Sequence, residues 1–126
     1  MSGRRILVVD DNPVNLKLAA DLLESEGYDV QRAMDAEQAM AAIDKSRPDL
    51  ILMDVALPGM DGLTLTRKLK AAEATRGISI VALTAFAMKG DEQKARDAGC
   101  DGYIAKPINT RQLCLQVAGY LEGRTP

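Results

Sequence analysis

Histidine is missing from the chain altogether. That absence excludes a Ser-His-Asp or Cys-His nucleophile pair and the usual zinc sites, and the chain cannot carry a phosphohistidine. Aromatic residues are nearly absent too, at 3% against 47% hydrophobic residues in all. The interior must therefore be built from Leu, Ile, Val, Ala and Met, a mixture that suits helices packed on a β-branched sheet. Cysteine occurs twice, at Cys100 and Cys114, without metal-ligand or redox-motif spacing, so a reducing cytoplasm is the expected location. No basic run stands out and the formal net charge is −2, so proteins rather than nucleic acid are the expected partners. No apolar stretch approaches the ~20 residues that cross a bilayer, so no membrane contact is expected. Met1 to Arg5 leads directly into a strand and leaves no room for a signal peptide.

A length of 126 residues suits one domain, expected over 1–126 with no output domain, and large enough to bury a core without staples. The stretch from Asp49 to Gly62 organises the rest. Four large apolar residues, Leu50 to Met53, run into Asp54, and a Pro-Gly loop follows at once. Such a run is too short for a helix and has no polar face, so it predicts a strand buried on both sides in a parallel sheet. Similar runs end in Asp10-Asp11 (Arg5–Val9), Thr84 (Ile78–Leu83) and Lys106 (Gly102–Ala105), while Tyr28–Ala33 alternates and suits an edge.

Helices are expected between the strands. Asn12 and Pro13 open the first, with Val14, Leu18 and Leu22 as its inner face beside Ala19 and Leu23, and Gly27 as its stop. Asp35 with Gln38 forms a capping box ahead of Ala36, Ala39, Met40 and Ile43. Asp61 caps a third helix facing inward through Leu65 and Leu69. A fourth runs from about Gly90 to Ala98, and Asn109 with Gln112 opens a fifth carrying Leu113, Val117, Tyr120 and Leu121. Five strands alternating with five helices give an α/β fold. Right-handed crossovers then require a parallel sheet with helices on both faces. The flavodoxin-like strand order 2-1-3-4-5 puts the switch point, where ligands bind in such sheets, beside Asp11 and Asp54.

Asp10, Asp11, Asp54, Thr84 and Lys106 thus meet at one rim. Crowded carboxylates raise one another's pKa unless a cation joins them. Oxygen-only ligands at an open site favour Mg²⁺ over Ca²⁺. A carboxylate held between a metal and an ammonium can attack phosphorus, because both cations neutralise charge on the phosphoryl oxygens. Asp54, single and central, is the candidate phosphoacceptor. Asp10 and Asp11 are candidates to hold the ion directly or through water, Thr84 to give a hydroxyl to a phosphoryl oxygen, and Lys106 to supply fixed positive charge.

With Asp10-Asp11-Asn12, the segment around Asp54, Leu83-Thr84-Ala85 and Tyr103-Ile104-Ala105-Lys106-Pro107 taken together, the sequence resembles a response-regulator receiver domain (CheY-like) of two-component signalling from Ile6 to about Leu121. The resemblance implies transfer of a phosphoryl group to Asp54 from the histidine of a partner kinase or phosphotransfer protein. It implies Mg²⁺ bound by Asp11, Asp54 and the backbone carbonyl of Ala56. It further implies a switch through Thr84 and Tyr103 that alters the face of the fourth helix, fifth strand and fifth helix, where a downstream protein would bind, and a cis bond before Pro107. The domain would assist its own phosphorylation and dephosphorylation without being an enzyme acting on other substrates. Ala56 and Phe86 offer no polar group to orient an attacking water, so a long-lived aspartyl phosphate is expected.

Other classes fit less well. A small Mg²⁺-dependent aspartyl-phosphate phosphatase is the alternative, but such enzymes space their two acids two apart after the first strand, and here Asp10 and Asp11 are adjacent. A flavin or nucleotide module would need a Gly-rich phosphate loop, which is lacking. A receiver kept only for docking would not need the full set of site residues.

Overall fold

The apolar runs become the strands and the capped periodic segments the helices. A computed structural model of the chain describes residues 4–57, 59–84, 89–106 and 108–122, with residues 89–92 as backbone alone. The order is β1 (Arg5–Val9), α1 (Pro13–Ser25), β2 (Asp29–Ala33), α2 (Ala36–Lys45), β3 (Leu50–Asp54), α3 (Gly62–Ala71), β4 (Ser79–Thr84), α4 (Lys89–Ala98), β5 (Gly102–Ala105) and α5 (Leu113–Leu121). All pairings are parallel and the strand order is β2-β1-β3-β4-β5, as the alternation of elements requires. The half-buried, alternating β2 lies at an edge, whereas every residue of β3 is buried.

The two-residue period of the strands divides the core. Ile6, Val8, Leu50, Leu52, Val81, Leu83 and Ile104 face one way and pack with Leu16, Ala19 and Leu23 of α1 and Leu113 and Val117 of α5. Leu7, Val9, Ile51, Met53 and Ile80 face the other way and pack with Ala39 and Ile43 of α2 and Leu65 and Leu69 of α3. Each fully buried aliphatic side chain contributes about 1.5–3 kcal/mol, so the strands buried on both sides, β1, β3 and β4, are the most strongly specified elements of the sheet.

Helix starts follow the caps. The Asn12 side chain accepts hydrogen bonds from the Val14 and Asn15 N–H groups, Asp61 from Thr64 N–H and Asp35 from Gln38 N–H. The Gln38 side chain accepts in return from Met34 N–H, closing the box one residue earlier than its usual partner.

Three expectations need correction. On α1 the buried stripe is Leu16, Ala19, Ala20 and Leu23, while Val14 is 73% and Leu18 36% exposed and Leu22 is half-buried. Both stripes have helical spacing. The Val14–Leu18 stripe, however, shares its sector of the helix with Lys17 and Asp21, and turning it inward would bury their charges. Met40 of α2 is likewise exposed, at the margin of its apolar face. The Asn109 side chain caps a turn by accepting from Arg111 and Gln112 N–H, and α5 begins only after Gln112, whose own side chain makes no cap bond.

Candidate functional site

Sheet register brings the candidate residues to one rim. Val9 pairs with Met53, so Asp10 and Asp54, the next residue on each strand, emerge level with one another. Asp54 pairs with Leu83, which puts Thr84 one step further out, and Thr84 pairs with Ala105, ahead of Lys106. The Lys106 N–H donates to the Thr84 carbonyl at 2.6 Å and extends that ladder by a step. The alternation of strand side chains sends Asp10, Asp54 and Lys106 toward the α1/α5 side. Thr84 and the half-buried Tyr103 take the opposite side.

Asp10 and Asp54 are buried and Asp11 is exposed, yet a carboxylate oxygen from each lies within 4.8 Å of the others. Lys106 Nζ stands 3.0 Å from Asp10 Oδ2 and 3.2 Å from Asp54 Oδ2, so one ammonium bridges two buried acids. The remaining oxygens are held by backbone. Asn12 N–H donates to Asp10 Oδ1 at 2.9 Å and Ala56 N–H donates to Asp54 Oδ1 at 3.0 Å, each closing a turn two residues long. Each acid is thus fixed in place, with Oδ2 facing Lys106.

Burial raises the pKa of Asp10 above the ordinary carboxylate value, and the negative charge of Asp54 adds to the effect. The Asn12 N–H and Lys106 work against the rise without cancelling it. Burial acts on Lys106 in the direction that would lower its pKa. The hydrogen bond to Asp10 and the charges of Asp54 and Asp10 outweigh it, leaving the ammonium above the usual lysine value. Lys106 is therefore a fixed cation at any ordinary pH.

An oxygen-only set of three acids against one lysine leaves excess negative charge and suits a hard divalent cation at the open side, next to exposed Asp11. Thr84 Oγ1 is buried and has no hydrogen-bond partner among the described residues. A buried hydroxyl without a partner costs stability and is a donor available to an acceptor brought into the cleft. The Ala56 side chain is exposed. Phe86, Pro107 and its peptide bond lie outside the described residues.

Asp10, Asp11, Asp54, Ala56, Thr84 and Lys106 are on or beside this rim, and Tyr103 sits two residues further back on β5, paired with Ala82. What spacing alone could not reveal is the division of labour: that Lys106 serves Asp10 as well as Asp54, and that the Ala56 backbone N–H is a partner of Asp54. The signal for the second was present, since an Asp at a strand end commonly bonds the N–H two residues on.

A family model described as the response regulator receiver domain matches residues 6–118. The polar-differentiation response regulator DivK of Brucella anthropi is 42% identical over 118 residues, covering 94% of this chain and 96% of the relative. A CheY-like response regulator receiver domain protein from Methanospirillum hungatei superposes with a TM-score of 0.86 at 33% identity, covering 95% and 94% of the two chains. The signal receiver domain of a signal transduction histidine kinase from Syntrophus aciditrophicus gives 0.87 at 32%, covering 98% and 96%.

Proposed function

We propose, from the premise that the chain belongs to the response regulator receiver family, that Asp54 is its phosphoacceptor and that Thr84 and Lys106 engage the phosphoryl group. The chain is a receiver domain and its role is that of a phosphoacceptor in signalling; histidine kinases are the partners such domains imply. The observation that carries the assignment to Asp54 is its placement. It is the buried central acid, bonded to Lys106 on one oxygen and to the Ala56 N–H on the other, within reach of Asp10 and Asp11.

An oxygen of Asp54 attacks phosphorus in line with the donor's imidazole nitrogen. The new O–P bond forms as the N–P bond breaks, and the imidazole leaves with the bonding pair. Lys106 lies beside Asp54 Oδ2 and offers its charge to the phosphoryl oxygens, and the Thr84 hydroxyl donates to another of them. Asp11, Asp54 and the Ala56 carbonyl, with Asp10 alongside, would hold Mg²⁺, which would supply further neutralisation of phosphoryl charge.

Donation by Thr84 gives its hydroxyl the acceptor it lacks among the described residues and biases the position of its strand end. Tyr103, on the same side of the sheet one strand away, is the second member of the switch. The surface altered is that of α4, β5 and α5, and a downstream protein reads it there. No helix among the described residues is long and apolar enough to cross a membrane.

The test is incubation with Mg²⁺ and a small acyl phosphate, followed by mass spectrometry. One base-labile phosphoryl adduct on Asp54, lost in Asp54→Asn, is the expected result. A label on another side chain, or steady release of phosphate from esters, would overturn the assignment.

A further inference from the structure

Gly62 opens α3 directly against the strand end that carries Asp54. A β-carbon built at Gly62 would overlap the Asp54 carbonyl oxygen and crowd its carbonyl carbon and the Met53 side chain. The usual reason for glycine, a positive φ, applies to Gly27, Gly59 and Gly99 but not to Gly62. Space is what the position demands. The Gly62 N–H also donates to the Val55 carbonyl at 3.2 Å, so the helix start is bonded to the residue that follows Asp54.

We propose that Gly62 is a positioning residue for Asp54: its missing side chain lets the backbone of α3 seat on the Asp54 carbonyl, and that seating sets the carboxylate against Asp10, Asp11 and Lys106. The proposal rests on the reading of Asp54 as phosphoacceptor. Neither side of the contact can retreat freely. Asp54 ends a strand paired with β1 and β4. The first turns of α3 are fixed by the Asp61 cap, by Thr66 Oγ1 donating to the Gly62 carbonyl at 2.8 Å, and by buried Leu65 and Leu69.

A methyl group at Gly62 must therefore displace either the end of β3 or residues 55–57 together with the helix start. The first moves Asp54 itself. The second moves Ala56, whose N–H holds Asp54 Oδ1. Both routes shift the attacking carboxylate, and a displacement of ~1 Å at a reacting group can cost ~100-fold in rate.

Two other glycines serve as controls. A β-carbon at Gly102 would overlap the Tyr120 ring, two strands from β3 and level with Leu52, and meets no atom of Asp54, while one at Gly119 meets open space. Gly62→Ala, Gly102→Ala and Gly119→Ala are compared for urea midpoint, for exchange of the Ala56 amide proton in metal-free protein by NMR, and for labelling rate with Mg²⁺ and acyl phosphate. Gly62→Ala is expected to label at least ~10-fold more slowly than Gly102→Ala and to lose Ala56 amide protection. Gly102→Ala should lose stability alone, and Gly119→Ala should match the parent in labelling and in Ala56 exchange, with a urea midpoint equal or slightly higher because alanine suits a helix better than glycine. Retained Ala56 protection in Gly62→Ala, or labelling no slower than in Gly102→Ala, would overturn the proposal.

Should Gly62→Ala not fold, Asp61→Ala loosens the same helix start without adding an atom at 62. Faster Ala56 exchange in that variant supports the seating, and parental exchange overturns it. If the parent itself is not labelled on Asp54, the acceptor reading fails, while the amide measurement still decides whether Gly62 sets the carboxylate.

Discussion

Lys106 shows what a single side chain contributes at this rim. Its ammonium is the common partner of two buried acids, and removing it leaves both facing each other with uncompensated charge. Breaking a buried pair by deleting one partner costs about 3 kcal/mol or more, against almost nothing for an exposed pair such as Lys17–Asp21. Lys106→Met is therefore expected to lower the thermal midpoint in a chelator by several degrees. Magnesium should then raise it further than it raises the parent, because the site carries one more net negative charge. A midpoint in chelator equal to the parent's would mean that the two acids do not depend on the lysine. Much at this scale was legible beforehand, since Asp10, Asp11, Asp54, Thr84 and Lys106 all stand where apolar strands end. What was not legible concerns backbone. The Ala56 N–H on Asp54 and the fit of Gly62 against the Asp54 carbonyl are backbone contacts made beyond the end of β3, and periodicity carries no information about them.

Among the elements, α1 separates what pattern can decide from what it cannot. Helical spacing is satisfied equally by Val14, Leu18 and Leu22 and by Leu16, Ala19, Ala20 and Leu23, so the existence of the helix and its caps follow from sequence while its rotation does not. Charge breaks the tie, because Lys17 and Asp21 share the first stripe and already pair with each other at its surface. The consequence is measurable. Leu16→Ala opens a cavity in the core between α1 and the sheet and should cost about 2–5 kcal/mol, whereas Val14→Ala should stay within about 0.5 kcal/mol of the parent. Urea unfolding of the two variants decides it, and equal losses would put Val14 back in the core. The strands needed no such tie-break: a fully apolar run like β3 has no wrong face, and only its place between β1 and β4 had to come from topology. α5 starts a turn later than the Asn109 signal suggests, because Asn109 caps a tight turn with the same chemistry that caps a helix.

Taken as a whole, the molecule places its acids where they oppose folding. The sheet delivers Asp10 and Asp54 to one level, Asp11 beside them, and the only cation that meets them among the described residues is Lys106. Part of the stability is thus given up to hold a charge excess that a bound divalent ion would relieve. Asp11 offers the cleanest test, since it is exposed while Asp10 and Asp54 are buried. In a chelator, Asp11→Asn should be as stable as the parent or slightly more so, because one repulsive charge is gone. With magnesium the order should reverse. A ligand bound only by the folded state stabilises by RT ln(1 + [L]/Kd), about 2.7 kcal/mol when its concentration is 100 times Kd, and the variant forfeits most of that gain through weaker binding. Urea midpoints of both proteins, measured with chelator and with magnesium, give the four values required. An Asp11→Asn protein that gains as much from magnesium as the parent would place the ion elsewhere. One that is markedly less stable in chelator would mean that the acidic cluster holds the fold together and does not strain it.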